Sequence, residues 1–129
     1  MLYAILAYHV EGAIVALTPD EDAALMNHLI EINGRLTREG KLGAVARLDF
    51  TDSALTLRGT SNAPVTDGPF AETKEQLLGL YVVDCASHEE AVAIAREFKA
   101  VNSTAVYEIR PIRYYDPGAA LPIKKEATE

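Results

Sequence analysis

A single cysteine, Cys85, excludes any disulfide within the chain. It lies in the apolar run LYVVDC and reads as a small buried hydrophobe, which suits a cytosolic, reducing setting. A basic excess is also missing. Twelve Lys and Arg against 19 Asp and Glu leave a net charge of −7. Phosphate binding needs a basic patch, so nucleic acid and anionic membrane surfaces are not expected as partners. Long hydrophobic runs are lacking too. The opening MLYAILAYHVEGAIVAL has no basic leader and is broken by His9, Glu11 and Gly12. It falls short of the ~20 apolar residues of a membrane span, and a buried strand is expected there instead of a signal peptide or membrane helix. The chain has no phosphate loop, no G-x-G-x-x-G, no nucleophile elbow and no acids or histidines at metal-ligand spacing. No cofactor and no metal are expected.

What remains is an ordinary soluble composition, 49% hydrophobic and 24% charged over 129 residues. That supports one core and is too little for two. Residues 2–10 alternate with both faces mostly apolar, predicting a central strand covered on both sides. Thr18-Pro19-Asp20-Glu21 is a capping box that opens a helix, with Leu25, Leu29, Ile32 and Leu36 as its core stripe and Gly40 at its end. Residues 43–67 read as β-structure with turns at 51–53 and 59–62. Leu77 to Cys85 reads as another buried strand. Ser87-His88-Glu89-Glu90 reads as a second capping box, opening a helix with Ala91, Ile94, Ala95 and Phe98 on one face. A last strand is expected over 104–114. The fold class that follows is α+β: a ferredoxin-like antiparallel sheet with both helices on one face. Its bare face predicts a homodimer formed through the sheet. The expected domain is 1–115, with 116–129 an arm or frayed tail.

The least ordinary stretch is TDGPFAETKEQ, residues 66–76. With its flanks, VTDGPFAETKEQLLGLYVV resembles the signature of the YCII-related family in its DGPF branch. YAILAYHVEG resembles that family's first strand, SHEEAVAIAREF its second helix and YEIRPI its closing strand. The resemblance runs to about Ile112. It departs at Leu78-Gly79-Leu80-Tyr81, where the family usually carries a double glycine, and in the longer tail. The resemblance implies a dimeric α+β barrel, and an active-site pair made of a His on the first strand and an Asp. It names no reaction, because the wider superfamily holds isomerases, dehalogenases, monooxygenases and effector-binding modules.

His9 is the first candidate for chemistry, since an imidazole titrates near neutral pH and a carboxylate could fix its tautomer. The competing reading is a core histidine bonded to a backbone carbonyl. Asp67 is the second candidate, projecting from its Asp-Gly turn toward His9 or simply capping that turn. Gly68, Pro69 and Phe70 are given structural roles, with Phe70 anchoring the loop in an apolar pocket. Glu72, Arg110 and Tyr81 are candidate binding residues. Glu108 and Arg110 share a face of the last strand, where Arg110 could hold an anion or pair structurally. His28 and His88 read as solvated. The sequence supports two functions of different classes: a cofactor-independent lyase or isomerase of a small polar or anionic molecule using His9 and Asp67, or a non-catalytic dimer that binds a small ligand or partner.

Overall fold

The computed structural model describes residues 1–123. The chain runs β1 (Leu2–His9), α1 (Glu11–Val15), α2 (Pro19–Arg38), β2 (Leu42–Arg47), β3 (Leu55–Leu57), β4 (Val65–Asp67), β5 (Gln76–Asp84), α3 (His88–Val101) and β6 (Val106–Pro111), with a 3₁₀ turn at Thr51–Ser53. Four strands form one antiparallel sheet in the order β2-β5-β1-β6. β3 and β4 make a separate hairpin. The fold is therefore mixed α+β around an antiparallel sheet. Residues 112–123 carry no regular element and end with Leu121 and Ile123 fully exposed. The remainder of the expected tail, 124–129, lies outside the described residues.

The core follows from the strand period. Tyr3, Ile5, Ala7 and His9 are buried on one face of β1, and the pattern alternates without a break. Tyr81 and Val83 lie beside Ile5 and Tyr3, and Ile109 flanks Ile5 on the other side. Leu29 and Leu36 of α2 and Ala91, Ile94, Ala95 and Phe98 of α3 close over this face. Tyr81 stacks on Phe98 with ring centroids 4.1 Å apart. Such an aromatic pair adds about 0.5–1.5 kcal/mol beyond its area burial.

The opposite face of β1 is Leu2, Ala4, Leu6 and Tyr8, all half-buried, so β1 is covered by helices on one side only. The expectation of cover on both sides fails for the single chain, because both helices lie over the same face.

Both helix starts were legible, and one differs in detail. Thr18 Oγ1 accepts from Glu21 N at 3.1 Å, and the Glu21 side chain accepts from Thr18 N at 2.9 Å, a complete capping box. Ser87 Oγ likewise accepts from Glu90 N at 3.2 Å. The Glu90 carboxylate, however, takes the N–H of Ala86 at 2.7 Å and pairs with Lys41 at 2.9 Å. Only half of the second box forms, because Lys41 draws that carboxylate away from the cap. Gly40 ends α2 at φ 72°, which lets Lys41 N reach Leu36 O at 2.9 Å. Helix α1 was not expected: its five residues directly follow β1, too short a stretch to show a helical period.

Candidate functional site

A cavity of about 640 Å³ opens between the sheet and the helices, within the usual range for small-molecule sites. Its floor is sheet. Arg47 pairs with Gly79, and Gly79 pairs with Ala7, two residues before His9. A side chain at Gly79 would put its Cβ 3.3 Å from the Ala46 carbonyl oxygen and 3.8 Å from Ala7 Cβ, so glycine keeps this floor open. The roof is apolar, with Leu25, Met26 and Leu29 of α2 and Ile14 of α1. Beyond β2 the wall continues through Leu48, Asp49 and Phe50. That segment is held by Glu11 of α1, whose carboxylate accepts from Thr51 N at 2.7 Å and from Thr51 Oγ1 at 2.5 Å.

His9 forms part of the wall and is 5% exposed. Its Nε2 lies 3.3 Å from Asn102 Nδ2, which also donates to the Tyr107 hydroxyl at 3.2 Å. Because Asn102 Nδ2 donates, Nε2 accepts, and the proton of the neutral ring sits on Nδ1. Nδ1 has no hydrogen-bond partner among the described residues. Burial, and then the positive charges of Arg47 and Lys99, push the His9 pKa below its ordinary value. The imidazole is therefore neutral at pH 7, with an unsatisfied N–H. Asn33 Oδ1, buried in the same wall, is likewise unpartnered. Both atoms are closed off from solvent, and a buried polar atom without a partner costs about 1–3 kcal/mol.

At the mouth, Arg47 donates to Asp22 at 2.8 and 3.5 Å, with both side chains half-exposed. Lys99 does not line the cavity, and its Nζ donates to the carbonyls of Ser103 and Ala105 at 2.7 and 2.6 Å. Tyr81 lines the cavity beside Gly79, and burial raises the pKa of its phenol, so it stays protonated. The structure thus brings His9 and Tyr81 together in one wall.

The other sequence candidates lie elsewhere. Asp67 is exposed on β4, opposite Leu55 in the hairpin, and does not line the cavity. Glu72 is exposed in the loop that follows. Arg110 is exposed on the open sheet face, 3.9 Å from Glu108, which accepts from the Tyr8 hydroxyl at 2.9 Å. Gly68 takes φ 104° at the end of the hairpin, donating to Ala54 O at 2.8 Å and accepting from Thr56 Oγ1 at 2.7 Å. Gln76 clamps the loop by donating to Ala71 O and Thr73 O at 3.1 and 3.0 Å. The expectation that Phe70 anchors an apolar pocket is wrong. It is 75% exposed and covered by the Arg58 guanidinium, 4.9 Å from the ring centroid, while the Arg58 side chain also donates to Phe70 O. His88, expected to be solvated, keeps an exposed side chain but bonds through Nδ1 to the Tyr3 hydroxyl at 2.6 Å.

Arg47, Asn102 and Asn33 were not singled out from the sequence. One signal was present. Asn33-Gly34 sits inside α2, where both residues are weak helix formers. Asn102 reads as a helix terminus, which it also is.

The YCII-related domain model matches residues 1–116. The chain is also 48% identical over 120 residues to uncharacterized protein R00369 of Rhizobium meliloti (strain 1021), an alignment covering 92% of this chain and 97% of that one. The match leaves out most of the C-terminal arm and spans every strand and helix, and it makes the chain a member of the YCII-related family.

Proposed function

We propose that this protein is a small enzyme of lyase or isomerase type whose substrate enters the cavity between sheet and helices and meets His9. One observation carries the reading: a neutral, buried imidazole with an unpartnered Nδ1–H sits in the wall of a ligand-sized cavity, closed off from solvent, so that a substrate reaches it as the wall side chains shift. Such a donor, fixed before the substrate arrives, polarises an oxygen on which charge develops and costs no reorganisation during reaction. This shifts the role of His9 from moving a proton toward stabilising an oxyanion, since its Nε2 lone pair is occupied by Asn102. Tyr81 shapes the pocket beside it. Asp67 keeps the part of second acid–base group only if the hairpin folds over the cavity mouth or a second copy presents it. Glu72 and Arg110 are subject to the same condition as binding residues.

The reading includes a homodimer. The strand order β2-β5-β1-β6 with both long helices on one face suits a ferredoxin-like sheet, and the half-buried Leu2, Ala4, Leu6 and Leu80 suit a second sheet packed against them as in a dimeric α+β barrel.

The test is turnover. A mixture of small carbonyl and carboxylate compounds is incubated with the protein and followed by proton NMR, first with the wild type and then with His9→Gln and Asp67→Asn. Loss of one conversion in His9→Gln, with the fold retained by circular dichroism, supports the enzyme. Full activity in both variants ends the His–Asp reading. The occupied Nε2 also favours a second function, a non-catalytic dimer that binds a small ligand. In that case a compound binds the cavity unchanged and no conversion is seen.

A further inference from the structure

We infer that the β3–β4 hairpin is an arm that docks on the open sheet face of a second copy of this chain, with Asp67 pairing with Arg110 of that copy. This rests on the homodimer reading given above and adds a contact to it. The hairpin is inside out. Leu55 and Leu57 share one face with Val65 and Asp67, through the pairs Leu55–Asp67 and Leu57–Val65. That apolar face is the open one: Leu55 is 68%, Leu57 56% and Val65 57% exposed. The other face carries Thr56 and Thr66, whose hydroxyls donate to Gly68 O and Thr56 O within the hairpin, and Thr56 is half-buried. A hairpin serving its own chain alone would turn its leucines inward. A two-stranded hairpin with no cover on its apolar face is marginal in water. Yet this one is held at both roots, by Glu11 on Thr51 before it and by the Gln76 clamp after it. It is presented in a fixed place, which lowers the cost of docking.

Charge and area name a second copy as the occupant. On the open sheet face, Ala4 and Leu6 of β1 lie beside Val82 and Leu80 of β5, and Arg110 stands opposite Ala4 on β6. An apolar patch with a carboxylate at its corner thus answers an apolar patch with a guanidinium at its corner. Both charges are available. Asp67 forms no ion pair among the described residues, and Arg58, the cation of the hairpin, covers Phe70. The other acids of the sheet face have partners: Glu108 takes the Tyr8 hydroxyl at 2.9 Å, and Asp84 takes the Met1 amino group at 3.2 Å. Glu108 lies 3.9 Å from Arg110, a long contact that leaves most of the five guanidinium N–H groups open. A stable pair needs about 800 Å² from each partner. Leu2, Ala4, Leu6, Tyr8 and Leu80 are already half-buried in one chain and fall short of that, so the exposed hairpin side chains supply the remainder. The hairpin leaves the sheet at the end that holds His9, where Gln76 pairs with it, and Arg110 lies toward the other end. A two-fold axis crossing the strands lays the His9 end of one copy over the Ala4 end of the other and makes the contact twice.

Charge reversal tests the arm. Full-length Asp67→Arg and Arg110→Asp are purified separately, and their dimer dissociation constants are measured by sedimentation at low salt, with circular dichroism as the check on folding. Each variant should dimerise at least about tenfold more weakly than the wild type, because a like-charge pair is then made twice. An equimolar mixture of the two should recover the wild-type constant, since both contacts of a mixed pair are again between an acid and an arginine. Leu57→Ser, which alters only an exposed side chain, should weaken the dimer by a similar factor. Single variants that dimerise like the wild type, or a mixture that fails to recover, overturn the pairing of Asp67 with Arg110. An unchanged constant in Leu57→Ser overturns the arm and leaves the homodimer through the sheet standing. A monomeric wild type overturns both.

Discussion

The Asn102 carboxamide joins two strands of the sheet through their side chains, lying 3.3 Å from His9 Nε2 on β1 and 3.2 Å from the Tyr107 hydroxyl on β6. It occupies the place at His9 that the sequence reserved for a carboxylate. An amide that donates to an imidazole favours the neutral ring, whereas a carboxylate favours the cation.

Asn102→Asp should therefore reverse the state of His9. The new carboxylate would accept from Nε2–H and raise the His9 pKa from its depressed position toward or above the ordinary histidine value. Nitrogen-15 shifts of the two ring nitrogens, followed with pH, report both tautomer and pKa. An unchanged titration in Asn102→Asp would show that Asn102 does not set the protonation of His9.

The pH dependence of stability has a defined sign. The folded pKa of His9 lies below the unfolded value of about 6.5, so the unfolded chain binds the proton more readily. The resulting stability is complete above about pH 6.5 and is lost as pH falls through the lowered folded value. Glu39 and Glu90 are also lowered, first by hydrogen bonds from Arg35 and Lys41 respectively. Their contribution is complete above the ordinary carboxylate value of 4.5 and is lost as pH falls through their folded values. Melting curves between pH 8 and 3 should show both losses, with His9→Gln removing the upper one only. A wild type and a His9→Gln variant that lose stability in parallel from pH 7 to 5 would contradict a desolvated His9.

Gly68→Ala should weaken the β3–β4 hairpin by about 1–2 kcal/mol, because φ 104° is hard for any residue with a Cβ. The effect is local. Hydrogen exchange of amides 55–57 and 65–68 should speed up while those of β1 and β5 hold their protection. Equal exchange in the variant and the wild type would mean that the turn is not strained.

Leu6→Lys places a charge in the middle of the open sheet face. Light scattering after size exclusion should show a dimer for the wild type and a monomer for the variant, each with the same far-ultraviolet circular dichroism. A monomeric wild type would remove the proposed partner.

The long helices, their caps and the four main strands were legible because each repeats a short-range pattern: a 3.6-residue stripe, a two-residue alternation, a Ser or Thr three residues before Glu. The buried face of α3 was read residue for residue. His9 was legible on the buried face of β1, and Tyr81 within a buried strand, because alternation and apolar run assign them. What surrounds them was not. Asn102 reaches His9 across 93 positions of sequence, and Arg47 meets Asp22 across 25. No local period encodes either contact. The conspicuous stretch TDGPFAETKEQ drew attention through its charges, yet Gln76 bonds back to its own backbone at Ala71 and Thr73, and Gly68 ties it to Ala54 and Thr56 of the hairpin.

The register of β1 on β5 slips by one residue between Ala7 and Tyr8, so that Leu78 has no opposite number. Along a regular strand, neighbours point to opposite faces, yet Leu78 and Gly79 both line the cavity. The extra residue acts as a phase change. On its far side, Gln76 and the clamped loop behind it are rotated relative to the rest of β5. Replacing Leu78 changes the lining of the cavity, whereas deleting it leaves Gly79, Leu77 and Gln76 opposite Ala7, Tyr8 and His9 in a regular ladder and removes the bend that the extra residue introduces.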